Sequence, residues 1–122
     1  MPTDYSDPQS YLPLTPPLFH VLLALADGDK HGYAIMKEVA ERTNNGVQLS
    51  TGTLYGIIKR LIDDGLIQEP IRRPSPADDD DRRRYYRLTT FGRQVAIAET
   101  QRLEGLIATA HAKKLVRRPR TV

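Results

Sequence analysis

The sequence predicts a mainly α-helical chain with a small β-hairpin, and three observations support this. Apolar residues recur at helical spacing in successive stretches, two short alternating stretches follow one of these helices, and a long amphipathic stretch comes last. A helix pair followed by a hairpin is the arrangement of a winged helix-turn-helix, in which the hairpin is the wing. We expect an N-terminal arm, a winged helix-turn-helix domain, a C-terminal dimerisation helix and a basic tail, over residues 1–14, 15–89, 90–116 and 117–122.

Composition sets the broad class. A chain of 122 residues with 39% apolar residues forms one domain with a modest core. It has no cysteine, which excludes disulfides, thiolate catalysis and cysteine-ligated metals. No apolar run approaches the roughly 20 residues of a membrane helix, and the N-terminus does not resemble a secretory signal. We expect a soluble, cytoplasmic protein without a cofactor, and the net charge of +3 weakly favours an anionic partner.

The first two helices are predicted from their start and stop signals. Residues 1–13 are rich in proline and polar residues and are predicted to be irregular. Thr15 precedes two prolines and can cap a helix, because proline is tolerated in a first turn. The run 18–26 is apolar nearly all round, which indicates a buried helix. A second helix should open at 31–33 and stop at 44–46.

The third helix has an unusual outer face. Ser50 is its predicted N-cap and Gly65 its end. Two glycines, Gly52 and Gly56, lie one turn apart on the outer face, although each costs about 1 kcal/mol relative to alanine in a helix. Close approach of a partner's backbone would explain them, so we interpret this as a recognition helix that enters a DNA major groove. The positions at helical spacing that should face the core are Leu54, Ile57, Ile58 and Leu61.

Candidate DNA contacts cluster near the start of that helix. Hydroxyl and ammonium groups can reach phosphates or base edges, and a helix N-terminus itself attracts phosphate. The alternatives are that Tyr55 belongs to the core and that Lys59 is merely solvated. The predicted DNA-binding residues of this region are Ser50, Thr51, Gly52, Thr53, Tyr55 and Lys59.

The wing is predicted from two strand-like stretches. Residues 66–73 should form a short strand, 74–81 a turn-rich link, and 82–89 the return strand. Within the return strand, Tyr86 and Leu88 alternate onto one face, which leaves the arginines largely free.

The basic residues of the wing have two interpretations. Arg82 and Arg84 are predicted DNA contacts, because each neutralised phosphate adds salt-dependent affinity. Alternatively, the arginines pair with the four aspartates at 78–81. Such exposed pairs contribute at most about 1 kcal/mol, so phosphate could displace them.

A metal site or an enzyme is disfavoured. The aspartates at 78–81 are consecutive and lack the spaced ligands of a calcium loop, so a solvated acidic loop is the simpler interpretation. His20, His31 and His111 lie on separate predicted helices with no shared spacing. No nucleophile and base occur together in a recognisable pattern.

The last helix, predicted over 91–115 and capped by Thr89 or Thr90, has an apolar stripe longer than a small domain can cover. A second copy of the chain would cover this stripe in a two-fold dimer. A DNA-binding protein with one recognition helix also gains most affinity by binding a second half-site. The alternative is a groove for another protein. The predicted dimerisation residues are Phe91, Val95, Ala98, Leu103, Leu106, Ile107 and Ala110.

Several blocks together carry a family likeness. Residues 50–55, 59–61 and 65–67, preceded by His-Gly-Tyr at 31–33 and followed by 85–92, resemble the PadR family of bacterial transcriptional regulators. The resemblance implies a winged helix-turn-helix with a C-terminal dimerisation helix that binds a pseudo-palindromic operator, usually as a repressor. A single final helix is similar to the shorter PadR subfamily.

The resemblance also bears on ligands and on a competing function. Members of the family sense phenolic acids or flat hydrophobic drugs at the dimer interface, which implies a small aromatic or hydrophobic effector. The chain departs from the family at Gly56, where proline is common, and in its acidic wing loop. That loop supports the alternative of a winged-helix protein–protein adaptor that does not read DNA. The candidate aromatic residues for lining an effector site are Tyr5, Tyr11, Phe19 and Phe91.

Overall fold

The computed structural model describes residues 7–69 and 84–117, and these ranges are mainly helical with a small sheet. This confirms the predicted fold class. The helices are α1 (Pro16–Ala24), α2 (Gly32–Arg42), α3 (Thr51–Asp63) and α4 (Thr90–Ala112). The strands are β1 (Lys30–His31), β2 (Ile67–Gln68) and β3 (Tyr85–Leu88), and a short 3-10 helix spans Pro8–Tyr11.

The four helices share one core. Leu22 of α1, Ile35 of α2, Leu54 of α3 and Val95 of α4 are fully buried and belong to one hydrophobic cluster. The apolar character of α1 on nearly all sides follows from its central place in that cluster. The small sheet closes the core from one side through the buried residue Ile67 of β2.

The predicted caps of α3 and α4 are present. The Ser50 hydroxyl accepts a hydrogen bond from the Thr53 amide at 3.1 Å, and the Thr89 hydroxyl accepts one from the Gly92 amide at 2.9 Å. Gly65 follows α3 with a φ of +77°, a conformation that glycine adopts without steric penalty. These local signals therefore fix both ends of α3 and the start of α4.

The first two helices begin by different means. Thr15 occupies the N-cap position of α1 but makes no side-chain cap hydrogen bond. His31 caps α2, because its Nδ1 accepts a hydrogen bond from the Ala34 amide at 3.2 Å. The histidine is thus a helix-start residue. After α2 the chain turns through Asn44 and Asn45, both with positive φ.

The strands form an antiparallel sheet in the order β1-β3-β2, with Lys30 opposite Tyr86 and Ile67 opposite Leu88. Both predicted strands of the wing are present, as β2 and β3, and the predicted strand residues 70–73 and 82–83 lie outside the described ranges. Tyr86 and Leu88 share the buried face, as predicted. No sequence pattern predicts β1, since a two-residue strand has no periodicity. The predicted wing loop lies outside the described residues.

The N-terminal segment (residues 7–14) packs on the domain rather than forming the irregular arm that was predicted. Asp7 caps the 3-10 helix by accepting a hydrogen bond from the Gln9 amide at 2.9 Å. The rings of Tyr11 and Phe91 meet edge to face, with centroids 5.6 Å apart. Tyr11 and Leu14 are partly buried against the core. Their apolar contacts with α4 and the core hold the segment in place.

The end of α3 is fastened to the start of α4. The Thr89 hydroxyl donates to the Gly65 carbonyl at 2.6 Å, and the Thr89 amide donates to the Leu66 carbonyl at 3.0 Å. A Cβ at Gly92 would overlap the Leu66 carbonyl oxygen, so only glycine permits this approach. α4 is 23 residues long. Within the described ranges, no helix combines the length and apolar character that a membrane span requires.

Candidate nucleic-acid interface

The outer face of α3 is an open surface. Thr51, Gly52, Thr53, Gly56 and Lys59 are all exposed. Apart from the neighbouring residues and the backbone of α3 itself, no described atom lies within 4 Å of the position that a Cβ would take at either glycine. The opposite face of the helix is buried in the core, as predicted. The glycines therefore leave room for another molecule to approach the backbone of α3 closely.

The first turn of α3 presents backbone donors at this surface. The Ser50 hydroxyl is committed to the cap, because besides accepting from the Thr53 amide it donates to the Thr53 hydroxyl at 2.9 Å. Ser50 therefore shapes the start of the helix. The amides at the start of a helix lack partners within it, and those of Thr51 and Gly52 lie on the exposed first turn. Such a turn suits an anion.

Tyr55 lies between α3 and the start of α2. Its ring is half-buried and packs against the core. A Cβ at Gly32 would stand 2.8 Å from the Tyr55 hydroxyl, so this glycine makes room for the tyrosine. Burial raises the pKa of Tyr86 to about 12, and the proximity of Tyr55 contributes to that rise. The structure thus gives the Tyr55 ring a packing role, with its hydroxyl near the first turn of α2.

The cations on α3 are paired along the helix. The Lys59 ammonium lies 3.0 Å from the Asp63 carboxylate, and both side chains are largely exposed. Arg60 is 3.9 Å from Asp64. Exposed pairs at this spacing contribute about 0.3–0.5 kcal/mol. Because breaking either pair loses so little free energy, a phosphate could take the place of either carboxylate.

The described cations of the wing strand are also paired. Arg84 lies 3.6 Å from Glu69, across the hairpin. Arg87, expected to be free, donates two hydrogen bonds to the Asp29 carboxylate at 3.0 and 2.9 Å. This pairing with a distant loop raises the pKa of Arg87. Arg82 lies outside the described residues.

An exposed tyrosine beside this surface was not anticipated. Tyr33, in the first turn of α2, is 64% exposed. Its ring stacks on His31 with centroids 6.5 Å apart, and His31 meets Tyr85 of the wing edge to face at 5.5 Å. The start of α2 therefore lies between Tyr55 of α3 and the wing. The only sequence signal was the position of Tyr33 just after the cap.

Six of the seven predicted dimerisation residues divide into two groups, and the seventh, Phe91, is partly buried against the core and Tyr11. Val95 has no exposed surface and Ala98 is 6% exposed, because both are buried in the core of the chain itself. Leu106 and Ile107 are 56% and 55% exposed. Val95 has no surface left to offer a partner. The members of the stripe beyond the core are Leu103, Leu106, Ile107 and Ala110.

An apolar groove runs between α1 and the second half of α4. It encloses about 540 Å³, and Phe19 and Leu23 face Leu103 and Ile107 across it. Of the predicted aromatic liners, Phe19 is therefore in the groove. The other described liners pair with each other instead, and Tyr5 lies outside the described residues.

No metal centre forms in the part of the chain that the structure describes. Within residues 7–69 and 84–117, no group of three or more histidines, aspartates or glutamates is placed to hold an ion. His20 accepts at Nδ1 from Arg42 at 3.2 Å. Desolvation, followed by the charge of Arg42, lowers the pKa of His20. The aspartates at 78–81 lie outside the described ranges.

Comparison with known proteins agrees with this architecture. The sequence model of a protein family, described as the transcriptional regulator PadR-like family, matches residues 21–98. An uncharacterized protein X of Lysinibacillus sphaericus is 33% identical over 73 residues, covering 60% of this chain and 64% of that protein. The chain thus spans less than two-thirds of this relative's length.

Two further relatives carry regulatory names. The transcriptional regulator Rv3488 of Mycobacterium tuberculosis is 34% identical over 87 residues, which cover 71% of this chain and 75% of the relative. The crystal structure of a PadR family transcription regulator from Clostridium difficile R20291 superposes with a TM-score of 0.65 and 27% identity, covering 78% of this chain and 94% of that one. PadR-like proteins are DNA-binding regulators of transcription and not enzymes. The chain belongs to the PadR-like family of transcriptional regulators.

Proposed function

We propose that this protein is a homodimeric repressor that occupies a pseudo-palindromic operator. The observation that carries the proposal is the outer face of α3, which joins an exposed first turn to two uncovered glycines and an exposed lysine. A helix presented in this way can enter a major groove with its N-terminus leading. Repression then follows from occupancy, because a protein on the operator blocks access to the promoter.

The contacts on α3 divide by role. Thr51, Gly52 and Thr53 lie on the first turn, where backbone amides and hydroxyls can bind phosphate or base edges. Lys59 lies further along and supplies a charge to a phosphate by exchanging Asp63 for it. Tyr55 contributes by packing its ring against the core beneath this surface. In the wing, Arg84 would likewise exchange Glu69 for a phosphate, and Arg82 is proposed as its neighbour on DNA.

The second half of α4 supports a homodimer. Leu106 and Ile107 are more than half exposed and stand beside the apolar groove that α1 forms with α4. Contiguous apolar surface of this kind marks an interaction site. Self-association by a two-fold axis would cover both surfaces and place two α3 helices on half-sites roughly 34 Å apart.

Response to a small molecule would use the same groove. Its apolar lining suits an aromatic or hydrophobic effector, with Phe19 as the aromatic contact. An effector that binds one dimer arrangement better than another would change the angle between the two α3 helices. The two α3 helices would then no longer fit both half-sites of the operator at once.

A mobility-shift titration with the DNA upstream of the gene, repeated across salt concentrations, tests the proposal. Wild-type protein should bind with an affinity that falls steeply as salt rises. Lys59→Ala should weaken binding and reduce the salt slope by about one. The matched control is Lys37→Ala, which removes an exposed lysine from α2. This variant should change neither the affinity for DNA nor the salt slope. Absence of binding by the wild type at low salt would reject the repressor.

A protein–protein adaptor is the second candidate, and one observation favours it. The described arginines of the wing strand, Arg84 and Arg87, both contact carboxylates of the chain itself. A wing neutralised in this way contributes less to DNA affinity. The same titration separates the two functions, since an adaptor that does not read DNA would give no shift at any salt concentration.

A further inference from the structure

Glu99 is a buried charged residue in the middle of α4. Its side chain is only 2% exposed, and both oxygens of its carboxylate accept hydrogen bonds. Arg102 donates from Nε at 2.5 Å and from a terminal nitrogen at 3.0 Å. The third donor is the backbone amide of Leu14, at 3.1 Å, which belongs to the N-terminal segment.

A buried carboxylate needs an explanation beyond stability. Removing a charge from water costs several kcal/mol, and apolar residues of similar volume are often as stable as a buried ion pair. What a carboxylate adds is directionality, because it must meet donors at defined positions. Here one donor is a backbone amide 85 residues away in the sequence. Glu99 therefore selects one placement of the N-terminal segment on α4.

The position of Glu99 along α4 is also informative. It is the last buried residue of the helix, and every later residue of α4 is exposed or partly exposed. The carboxylate thus lies where α4 leaves the core and becomes the helix proposed to join two subunits.

The N-terminal segment reaches from this point to α3. Tyr11 and Leu14 line a small cavity together with Leu61 of α3 and Asp64, the C-cap of that helix. On its other side, Tyr11 borders a polar cleft of about 560 Å³. The residues of α3 and its C-cap that line this cleft are Gly56, Lys59, Arg60, Asp63 and Asp64. The segment therefore packs on α4 and faces the second half of α3 across these two cavities.

We propose that Glu99 is a positioning residue for operator binding. By holding the N-terminal segment between α4 and α3, it fixes the angle between the helix that joins the subunits and the helix that reads DNA. The inference rests on the proposed dimeric function, in which this angle decides whether two α3 helices meet two half-sites together. Joining two half-sites in one protein can raise affinity by about 10²- to 10⁴-fold, and that gain depends on geometry.

Three variants separate positioning from folding. Glu99→Met removes every polar contact at similar length, whereas Glu99→Gln keeps an acceptor for the Leu14 amide and loses the charge. Glu41→Gln is the matched control, because it removes the same charge from an exposed site on α2. Footprinting with wild-type protein first locates the two half-sites in the upstream DNA. Each variant is then titrated against a duplex that holds both half-sites and against the same duplex cut midway between them.

We expect Glu99→Met to lose at least about tenfold in affinity for the full duplex and less than about twofold for the half duplex. Glu99→Gln should lie between Glu99→Met and the wild type, and Glu41→Gln should match the wild type. Equal losses on both duplexes would show that Glu99 only supports the fold and would overturn the proposal. Unchanged binding to both would overturn it as well.

A measurement without DNA tests the angle directly. The chain has no cysteine, so Thr51→Cys with Gln101→Cys places one spin label on α3 and one on α4. Labelled protein is diluted with unlabelled wild type, so that only distances within a chain are seen. We expect one narrow distribution with Glu99 present and a broader or shifted one in Glu99→Met. An unchanged distribution would reject the positioning role even if DNA binding failed for another reason.

Discussion

The two halves of α4 have similar apolar residues but different surroundings. In the first half, Val95 and Ala98 are buried in the core of the chain itself. In the second half, Leu106 and Ile107 are more than half exposed. A continuous apolar stripe in the sequence is therefore buried in its first half and exposed in its second, and the division falls at Glu99. Periodicity alone predicts which face of a helix is apolar but not which molecule covers it.

The largest effect should come from placing a charge in the first half. Val95→Asp would bury an unpaired carboxylate and should lower the free energy of unfolding by about 3 kcal/mol or more. Many domains are stable by only about 5–15 kcal/mol, so the variant should be largely unfolded or insoluble. Ile97→Asp is the matched control, because Ile97 is 51% exposed in the same half. Thermal unfolding followed by circular dichroism measures both, and equal losses would contradict the division.

The same charge in the second half should change assembly instead. Ile107→Asp should keep the helical spectrum and melting behaviour of the fold while converting a dimer to a monomer, because the aspartate would have to lose its water at the subunit contact. Light scattering measures the mass. Gln101→Asp, on an exposed site away from the apolar stripe, should remain dimeric. A dimeric Ile107→Asp would place the subunit contact elsewhere.

Hydroxyl groups in the two halves should differ more modestly. Thr89 caps α4 and donates to the Gly65 carbonyl, so Thr89→Ala should lower the free energy of unfolding by about 0.5–2 kcal/mol. Thr109 donates only to the Gly105 carbonyl within the exposed half, at 3.2 Å. Thr109→Ala should be nearly neutral in chemical denaturation. A larger loss at Thr109 than at Thr89 would contradict the anchoring of the first half.

The smallest effect should be a pH dependence at the division. The hydrogen bonds from Arg102, assisted by the Leu14 amide, hold the pKa of Glu99 below its ordinary value despite burial. A depressed pKa means that the stabilisation is complete above the unfolded pKa and is lost as pH falls through the folded value. The stability difference between wild type and Glu99→Gln should therefore be constant near neutral pH and shrink on acidification below about pH 4.5. Denaturant titrations at several pH values measure it, and a difference that grows in acid would reverse the assignment.

Local signals predicted the elements that position the interface. Ser50 and Thr89 are N-cap residues and Gly65 is a helix-stop glycine, and each lies at a helix boundary in the structure. The N-terminal segment and β1 were missed because contacts distant in sequence create them. Tyr11 is held by Phe91, and β1 exists only because β3 lies beside it.

The candidate site was predictable only in part, for the same reason. The open face of α3 follows from helical periodicity and two glycines. The pairing of Arg87 with Asp29, 58 residues earlier, depends on the fold and could not be inferred from the neighbouring residues. The division of α4 was likewise hidden, since no local feature separates Val95 from Ile107.

A footprint on the DNA upstream of the gene tests the central claim most directly. Wild-type protein should protect two segments whose centres lie about one helical turn, roughly 34 Å, apart. Ile107→Asp at the same concentration should lose the paired protection while remaining folded, because its α3 face is intact but its partner is absent. Paired protection by a monomeric Ile107→Asp, or none by the wild type at low salt, would contradict the account.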